Sequence, residues 1–465
     1  MTLVISANKK EALLKMDKQK SNVPLMQKLS ILLGGAGITG TYSLVTMLAM
    51  IFYTDVMGLS PGAVGIMILI AKIWDAINDP MCGVLIDRTN SRFGKVKPWL
   101  FGGGIGIFVF GVLLFTVPGF SQTGKLVWAY LTYNLVGMAF TACVIGTVTY
   151  IPRITKTPLE QVSLSAFYSL GQSIAALVLS AVVMKLLAYF GAMNPLGAYR
   201  DTALVIGGVG LVLTLFFVFI TKEHSVEGEQ QQTRTPLKET IKALLHNKPF
   251  LLIAAICVVN GLASGMHTAS MVHYVTYVLG NAGLASNLMF VIYGGIFLAS
   301  ISGKFLARFD KLLICKITFL VAAAGLLVRL ISGDGNLTVM LVAEAAIGLG
   351  GGLFTVYSIP LLIDCAEYGY RITGTRSDGM IMSSLTFQTK IGQGLGTAVM
   401  GIWLELAGYM ETQAVQPESA VHAMRDIHLI PYFIIALVSF ALLHFYPLSS
   451  KKMAELTKED APCTT

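Results

Sequence analysis

Long apolar runs constrain this chain more than any other feature of its sequence. Each run approaches the ~20 residues that an α-helix needs to cross the hydrocarbon core of a bilayer. Charged residues make up only 12% of the chain, against about 25% in a soluble domain. The sequence therefore predicts an all-α membrane protein with twelve transmembrane helices. The expected spans are 28–54, 61–87, 98–117, 125–151, 163–190, 202–221, 250–279, 284–306, 311–331, 336–365, 379–409 and 428–447.

Lysine and arginine residues gather in alternate connections between these runs. They are dense before the first run, in the connection 88–97, in the central stretch 222–249 and after residue 448. This is the positive-inside pattern of membrane proteins. We therefore expect a multi-pass protein of the cytoplasmic cell membrane with both termini in the cytoplasm. Since the pattern accounts for the net charge of +8, we expect the lipid bilayer as a partner and no nucleic acid.

The longest internal polar stretch divides the runs into two groups of six. It reads KEHSVEGEQQQTRTPLKETIKALLHNKPF. Two six-helix halves related by a pseudo-two-fold axis are typical of transporters built from repeats. The expected organisation is a cytoplasmic N-terminal segment (1–27), an N-terminal six-helix bundle (28–221), a cytoplasmic central loop (222–249), a C-terminal six-helix bundle (250–447) and a cytoplasmic tail (448–465).

The second run contains AKIWDAINDP, which places two carboxylates inside a membrane span. Asp75 and Asp79 are four residues apart and share one face of a helix, and Asn78 adds an amide oxygen. Such an oxygen-rich set suits Na⁺, or a proton shared between the two acids. A structural ion pair between Asp75 and Lys72 is the plainer alternative, but it does not explain the second acid. Ionisable residues inside a membrane are functional candidates by default.

Two further charged residues lie deep in the predicted spans. Lys390, in FQTKIGQGLG of the eleventh run, lies too deep for its ammonium to reach the interface fully. A buried cation needs an anion, and Asp75 or Asp79 is the expected partner. Glu344 in the tenth run also needs a partner, which Arg329 could supply across the preceding connection.

Two connections are densely charged, DRTNSRFGKVKP (87–98) and DCAEYGYRITGTRSDG (364–379). Both are consistent with solvated loops, and both could also form ion pairs that open and close between helices. The candidate gating residues are Asp87, Arg88, Arg92, Lys95, Asp364, Glu367, Arg371 and Arg376.

Five motifs taken together are more specific than any one of them. YTDVMGLSPGAVG, WDAINDP, RFGKVKP, AEYGYRITGTRSDG and FQTKIGQGLG, in that order, resemble the glycoside–pentoside–hexuronide:cation symporter family of the major facilitator superfamily. The resemblance spans nearly the whole chain. It implies a major facilitator fold, no enzymatic activity, and symport of a sugar or glycoside with Na⁺, H⁺ or Li⁺.

The resemblance also assigns residues. It implies a cation site at Asp75 and Asp79, which would be metal ligands if the ion is Na⁺, together with Asn78 and Thr141. The coupling lysine of the family falls on Lys390, and Lys72 is the second candidate coupling residue.

The sugar site departs from the pattern of family members that transport melibiose. Their two sugar-binding acids fall at Thr39 and Val144 here, and an arginine falls near Phe167 or Tyr168. The charged sugar site is therefore absent, which favours a hexuronide, or a glycoside with an apolar aglycone, over a simple galactoside. The candidate substrate contacts are Thr39, Tyr42, Phe167, Tyr168, Gln172, Asn260 and His267. For each of them, helix packing is the alternative.

Other classes of function stay open but are weaker. A cation-coupled transporter of a non-sugar amphiphile and a sensor that keeps the fold both fit the spans. A membrane-embedded enzyme fits less well, because neither HExxH nor a nucleophile elbow occurs in the sequence. GAGITG at 35–40 matches a dinucleotide fingerprint, yet it lies inside the first span with no strand before it. We therefore expect no cofactor, a small-molecule substrate and a monomer.

Overall fold

A computed structural model describes residues 23–89, 91–155, 158–194, 197–221, 244–306, 309–373 and 378–448. Within these ranges the chain forms twelve long helices and no strands, which confirms the predicted all-α class. In chain order they are α1 Leu25–Ile51, α2 Pro61–Arg88, α3 Lys97–Leu114, α4 Gln122–Ile154, α5 Pro158–Met193, α6 Ala198–Ile220, α7 Lys248–His273, α8 Leu284–Leu306, α9 Lys311–Ser332, α10 Leu337–Thr373, α11 Asp378–Leu406 and α12 Glu418–His444.

Most of the N-terminal segment, the central loop and the C-terminal tail of the predicted organisation lie outside the described residues. Among the residues that are described, eleven helices are long and apolar enough to cross a membrane. The remaining helix is α11, which carries Lys390 and two glutamines in its middle. The last helix begins at Glu418 rather than near residue 428, and α10 continues to Thr373 past an internal proline. Prolines are tolerated in membrane helices where neighbouring groups satisfy the freed carbonyls.

Side-chain caps fix where several helices begin. The Ser60 hydroxyl accepts a hydrogen bond from the Ala63 amide, and Pro61 follows it as the first residue of α2. Asn247 and Asp310 cap α7 and α9 in the same way. Each cap satisfies an amide that has no partner within its helix, while proline has no such amide to satisfy.

The twelve helices pack as two groups, α1–α6 and α7–α12, that meet along two equivalent pairs. α2 packs against α11, and α5 packs against α8, with a smaller contact between α1 and α7. Small residues allow the first pair to approach closely: a Cβ at Gly65 would lie 2.9 Å from the Ala398 Cα, and one at Gly401 would lie 2.2 Å from the Pro61 carbonyl oxygen. Close backbone approach at small residues is how membrane helices associate without a hydrophobic driving force.

Helices α1 and α7 end in the same unusual way. Each is continued by a single π-helical turn, Phe52–Val56 after α1 and Tyr274–Val278 after α7. A glycine with positive φ follows each turn: Gly58 has φ 69° and Gly280 has φ 65°. This repetition supports the pseudo-two-fold relation between the halves.

The two π turns meet at one end of the molecule. The hydroxyls of Tyr277 and Tyr409 both donate to the carboxylate of Asp55. The hydroxyl of the adjacent Thr54 lies 3.2 Å from His273 Nε2. We refer to these five residues as the Asp55 contact, which joins the two halves at this end.

Candidate functional site

Asp79 is held by two other helices. Lys390 of α11 donates its ammonium to Asp79 Oδ2 at 2.6 Å, and the Thr141 hydroxyl of α4 donates to Oδ1 at 2.9 Å. The structure therefore brings one acid of α2, the buried lysine and the threonine together at the junction of α2, α4 and α11. Of the two acids that the sequence offers to Lys390, the structure selects Asp79.

Asp75 differs from Asp79 because no hydrogen-bond donor in the described part of the chain contacts its carboxylate. Asp75 is only 3% exposed, yet none of the described residues forms a hydrogen bond or an ion pair with it. Asn78, on the same turn, is 8% exposed. A buried carboxylate without a donor is energetically costly unless a cation or a proton neutralises it.

Helix α4 approaches this carboxylate closely. A Cβ on Gly137 would lie 2.8 Å from Asp75 Oδ1, so glycine is the residue that lets α4 pass at this distance. Together with Thr141, one turn further along the same face, Gly137 makes α4 the wall of the site opposite α11. Two carboxylates and a hydroxyl are oxygen ligands of the kind that hard cations bind.

Lys72 does not form the ion pair with Asp75 that the sequence left open. Its ammonium donates to the Tyr42 hydroxyl at 2.9 Å and lies 5.3 Å from the centre of the Tyr42 ring. Tyr42 is itself stacked on Phe140, with ring centroids 3.8 Å apart. The lysine is therefore directed toward the space between the halves.

A cavity of about 660 Å³ occupies that space. Its volume is in the range of small-molecule sites. Lys72 and Lys390 both line it, so the cavity lies next to the acid site, and none of the described residues that line it is an acid. Four tyrosines contribute to the lining, namely Tyr42, Tyr133, Tyr293 and Tyr432.

Only some of the residues predicted to contact the substrate line the cavity. Tyr42, Asn260 and His267 line it.

The described cavity lining does not include Thr39, Phe167, Tyr168 or Gln172, so their assignment as substrate contacts stays a prediction. Helix α5 packs tightly against α1 at Tyr168, since a Cβ on Gly35 would lie 2.5 Å from the Tyr168 carbonyl oxygen.

The charged side chains of the first connection differ in their exposure. Arg88 and Arg92 are exposed, and the Arg92 guanidinium lies 4.9 Å from the Phe93 ring centre. Lys95 is half-buried. The Asp87 side chain lies outside the described residues.

The second charged connection forms ion pairs within the C-terminal half. Lys311 of α9 pairs with Asp364 of α10. Arg371 donates to Glu367 at 2.9 Å, one turn apart on α10. Arg376 lies outside the described residues. The first contact ties α9 to α10 and the second lies within α10, so the assignment of these residues to gating stays a prediction.

A second group of buried charges lies in the C-terminal half. Arg329 donates to Glu344, and both side chains are fully buried. His267 and His428 adjoin the same carboxylate. Sequence reasoning identified the first three residues, but it missed His428, because a lone histidine near the start of the last span has no partner within its own helix.

Twelve long helices, packed as two groups around a central cavity with a buried acid site beside it, are the architecture of a transporter of the major facilitator superfamily. The chain belongs to the MFS/sugar transport protein family, whose model matches residues 30–450, and within it to the glycoside–pentoside–hexuronide:cation symporters. It is a multi-pass membrane protein.

Relatives match over almost their full length. An isoprimeverose transporter of Lactiplantibacillus pentosus is 32% identical over 95% of this chain and 93% of its own. A glucuronide carrier protein homolog of Escherichia coli (strain K12) is 29% identical over 92% of this chain and 93% of its own. The crystal structure of a bacterial homologue of the human lysosomal transporter Spinster shares the fold, with a TM-score of 0.67 and 15% identity over 92% of this chain and 97% of that one.

Proposed function

We propose that this chain is a secondary active symporter that couples uptake of a glycoside, with hexuronides as the favoured class, to a Na⁺ or H⁺ gradient. The observation that carries the proposal is the buried Asp75 carboxylate, which has no donor among the described residues and lies one turn from the paired Asp79. A monovalent cation or a proton at this position binds a carboxylate that accepts no hydrogen bond from the described residues. We propose further that the chain acts as a monomer in the cell membrane with both termini in the cytoplasm.

Lys390 connects the cation to the interface between the halves. Its ammonium binds Asp79 from α11 at 2.6 Å, so a cation bound beside Asp79 competes with Lys390 for the same carboxylate. The α2–α11 contact therefore responds to occupation of the site. Because Lys390 also lines the cavity, cation and substrate binding are coupled, and each favours the other by the same free energy.

The cavity lining supports an anionic or neutral glycoside. Lys72 and Lys390 present two ammonium groups, and no carboxylate is present among the described lining residues to repel a uronate. Tyrosine rings provide flat apolar surfaces for the faces of sugars or aryl aglycones. A glucuronide carrier homolog and an isoprimeverose transporter among the relatives support the same class of substrate.

Uptake into proteoliposomes tests the proposal. The compounds are p-nitrophenyl β-D-glucuronide, p-nitrophenyl β-D-glucoside, isoprimeverose and melibiose, each under an imposed Na⁺ or H⁺ gradient. We expect accumulation of the glucuronide with one of the two gradients and poor uptake of melibiose. Robust melibiose uptake that neither aryl compound inhibits would refute the substrate class, and downhill uptake that no cation gradient drives would refute symport.

Lys72→Gln sharpens the substrate assignment. A hydrogen bond to a charged group contributes about 1.5–3 kcal/mol, which is roughly a 10–150-fold effect. We expect the KM for the glucuronide to rise by a factor in that range and the KM for the glucoside to change much less. Equal effects on the two compounds would show that Lys72 does not bind the uronate.

A further inference from the structure

A buried cluster on α7, α9, α10 and α12 is not used by the cation site described above. Arg329, Glu344 and His428 are fully buried, and His267 is 5% exposed. One Glu344 oxygen accepts from Arg329, and the other, Oε2, lies 2.9 Å from His267 Nε2. His267 also forms part of the cavity wall.

The hydrogen bonds of His267 require one more proton than a neutral imidazole facing an ionised Glu344 would have. Its Nδ1 lies 3.1 Å from the His428 backbone oxygen. A carbonyl oxygen can only accept, so Nδ1 carries a hydrogen. In a neutral imidazole, Nε2 is then an acceptor, and it faces an oxygen of an ionised acid, which is also an acceptor. A proton must lie between these two atoms, as an imidazolium with a carboxylate or an imidazole with a carboxylic acid.

His428 and Tyr274 complete the surroundings of His267 and Glu344. His428 stacks on His267, with ring centroids 4.2 Å apart, and its Nδ1 lies 3.0 Å from the Ser270 hydroxyl. Its Nε2 is 3.4 Å from the Oε1 atom of Glu344. Tyr274 stacks on the far face of His428, at 4.4 Å.

The outer groups are paired in turn. The Tyr274 hydroxyl donates to Asp334, which pairs with Arg425 at 3.0 Å. The Tyr432 ring lies 5.6 Å from the His267 ring. Its neutral side chain does not compensate the charge of the cluster. None of these groups removes the need for a proton between His267 and Glu344.

We propose that His267 and Glu344 form a proton-binding site, separate from Asp75 and Asp79, whose proton is linked to substrate binding in the cavity. A single proton fits better than a divalent metal ion, because a metal would place two further positive charges beside the buried Arg329. The proton-binding site stands on the geometry alone, and only its link to substrate rests on the proposed function.

The charge of the cluster predicts whether the proton strengthens or weakens substrate binding. With the proton bound, Arg329 and His267 carry two positive charges against the one negative charge of Glu344, while Asp334 and Arg425 cancel. An acceptor-rich or anionic substrate near His267 therefore favours the protonated form. By reciprocity, loss of the proton at alkaline pH weakens substrate binding.

Nitrogen NMR of the wild-type protein tests the site directly. The full-length chain is labelled with ¹⁵N-histidine in nanodiscs, and His267→Gln and His428→Gln assign the signals. Infrared spectra of wild type and Glu344→Gln detect a carboxylic acid at the same position. We expect one extra proton near neutral pH, on His267 Nε2 or on Glu344, which is lost at alkaline pH. Both groups unprotonated at neutral pH, or one equivalent of metal by mass spectrometry, would overturn the proposal.

Transport of p-nitrophenyl β-D-glucuronide tests the link. We expect the wild-type KM to rise about fivefold or more from mildly acidic to alkaline pH, and the KM of His267→Gln to vary much less. His422→Gln is the matched control, because His422 lies in the same half of the molecule, on α12, but its side chain is 64% exposed. A wild-type pH profile in His267→Gln would disprove the link. Absence of transport in every protein would instead refute the proposed function, and the NMR measurement would still decide the proton site.

Discussion

Asp75 and Glu344 are both carboxylates in the interior of the helical bundle, but their surroundings differ. Glu344 is enclosed by Arg329, His267 and His428, all from its own half of the molecule. Asp75 has no donor among the described residues, and its neighbour Asp79 is bound by Lys390 from the opposite half. A charge satisfied within one half moves with that half, whereas a charge left unsatisfied at the junction of the halves can bind a cation and change how they meet.

The largest expected effect is on transport, from Asp75→Asn. Because none of the described residues donates a hydrogen bond to Asp75, removal of its charge should leave the thermal stability unchanged or raised, while cation-driven accumulation of p-nitrophenyl β-D-glucuronide is abolished. Uptake and Tm of the same preparation are measured together. Asp201→Asn, which alters a partly exposed pair with Arg200, should retain accumulation. Uphill uptake by Asp75→Asn at the wild-type level would remove Asp75 from the cation site.

Glu344→Leu should show the opposite pattern, a large loss of stability. Removal of one partner of a buried ion pair costs about 3–5 kcal/mol, because Arg329 is left buried with an uncompensated charge. The double variant Arg329→Met/Glu344→Leu should recover much of the loss, which thermal unfolding in detergent would show. The exposed His422–Glu418 contact is the control, and Glu418→Leu should change the Tm little. Equal Tm values for Glu344→Leu and Glu418→Leu would contradict the contrast between the two sites.

Gly137→Ala tests how tightly α4 is fitted to Asp75. The new Cβ would lie 2.8 Å from Asp75 Oδ1, and overpacking of this kind costs about 1–3 kcal/mol. We expect the cation concentration for half-maximal uptake to rise roughly 5–150-fold. Gly102→Ala is the control, because a Cβ there has no atom within 4 Å. Identical cation dependence of the two variants would show that α4 does not shape the site.

The smallest expected effect comes from Thr141→Val, which removes one hydrogen bond to Asp79. A net contribution of about 0.5–1.5 kcal/mol corresponds to a weakening of cation affinity by roughly 2–13-fold. Thr147→Val, on the same helix, serves as the control because its hydroxyl donates to its own backbone at the Cys143 oxygen, at 2.8 Å. If Thr147→Val weakened the cation affinity as much as Thr141→Val, Thr141 would have no special role at Asp79.

The sequence predicted two kinds of feature: properties of single helices, and partners that a buried charge requires. Length and hydropathy located the spans, and i,i+4 spacing placed Asp75 and Asp79 on one face. The need to compensate buried charge also led to Arg329 for Glu344. Each of these inferences uses only local periodicity or the cost of an unpaired charge.

The sequence did not predict features that depend on which faces of the helices pack together. Periodicity does not show which turn of α5 packs against α1, so Tyr168 was expected in the cavity. It also does not show that Lys72 points toward Tyr42 or that His428 joins His267. These contacts combine residues far apart in the chain, and no local pattern in the sequence marks them.

The Asp55 contact joins two segments of similar sequence. FYTDVMG at 52–58 and YVTYVLG at 274–280 share threonine, valine and glycine at matching positions, as copies of one duplicated segment would. In an unfused dimer of identical subunits, an aspartate at this place would face its own copy across the axis, and the two carboxylates would repel. In a single chain the two equivalent positions can differ, and here one holds Asp55 while the other holds Tyr277. The Tyr277 hydroxyl therefore donates to the Asp55 carboxylate, a hydrogen bond that two identical subunits could not make with two acids.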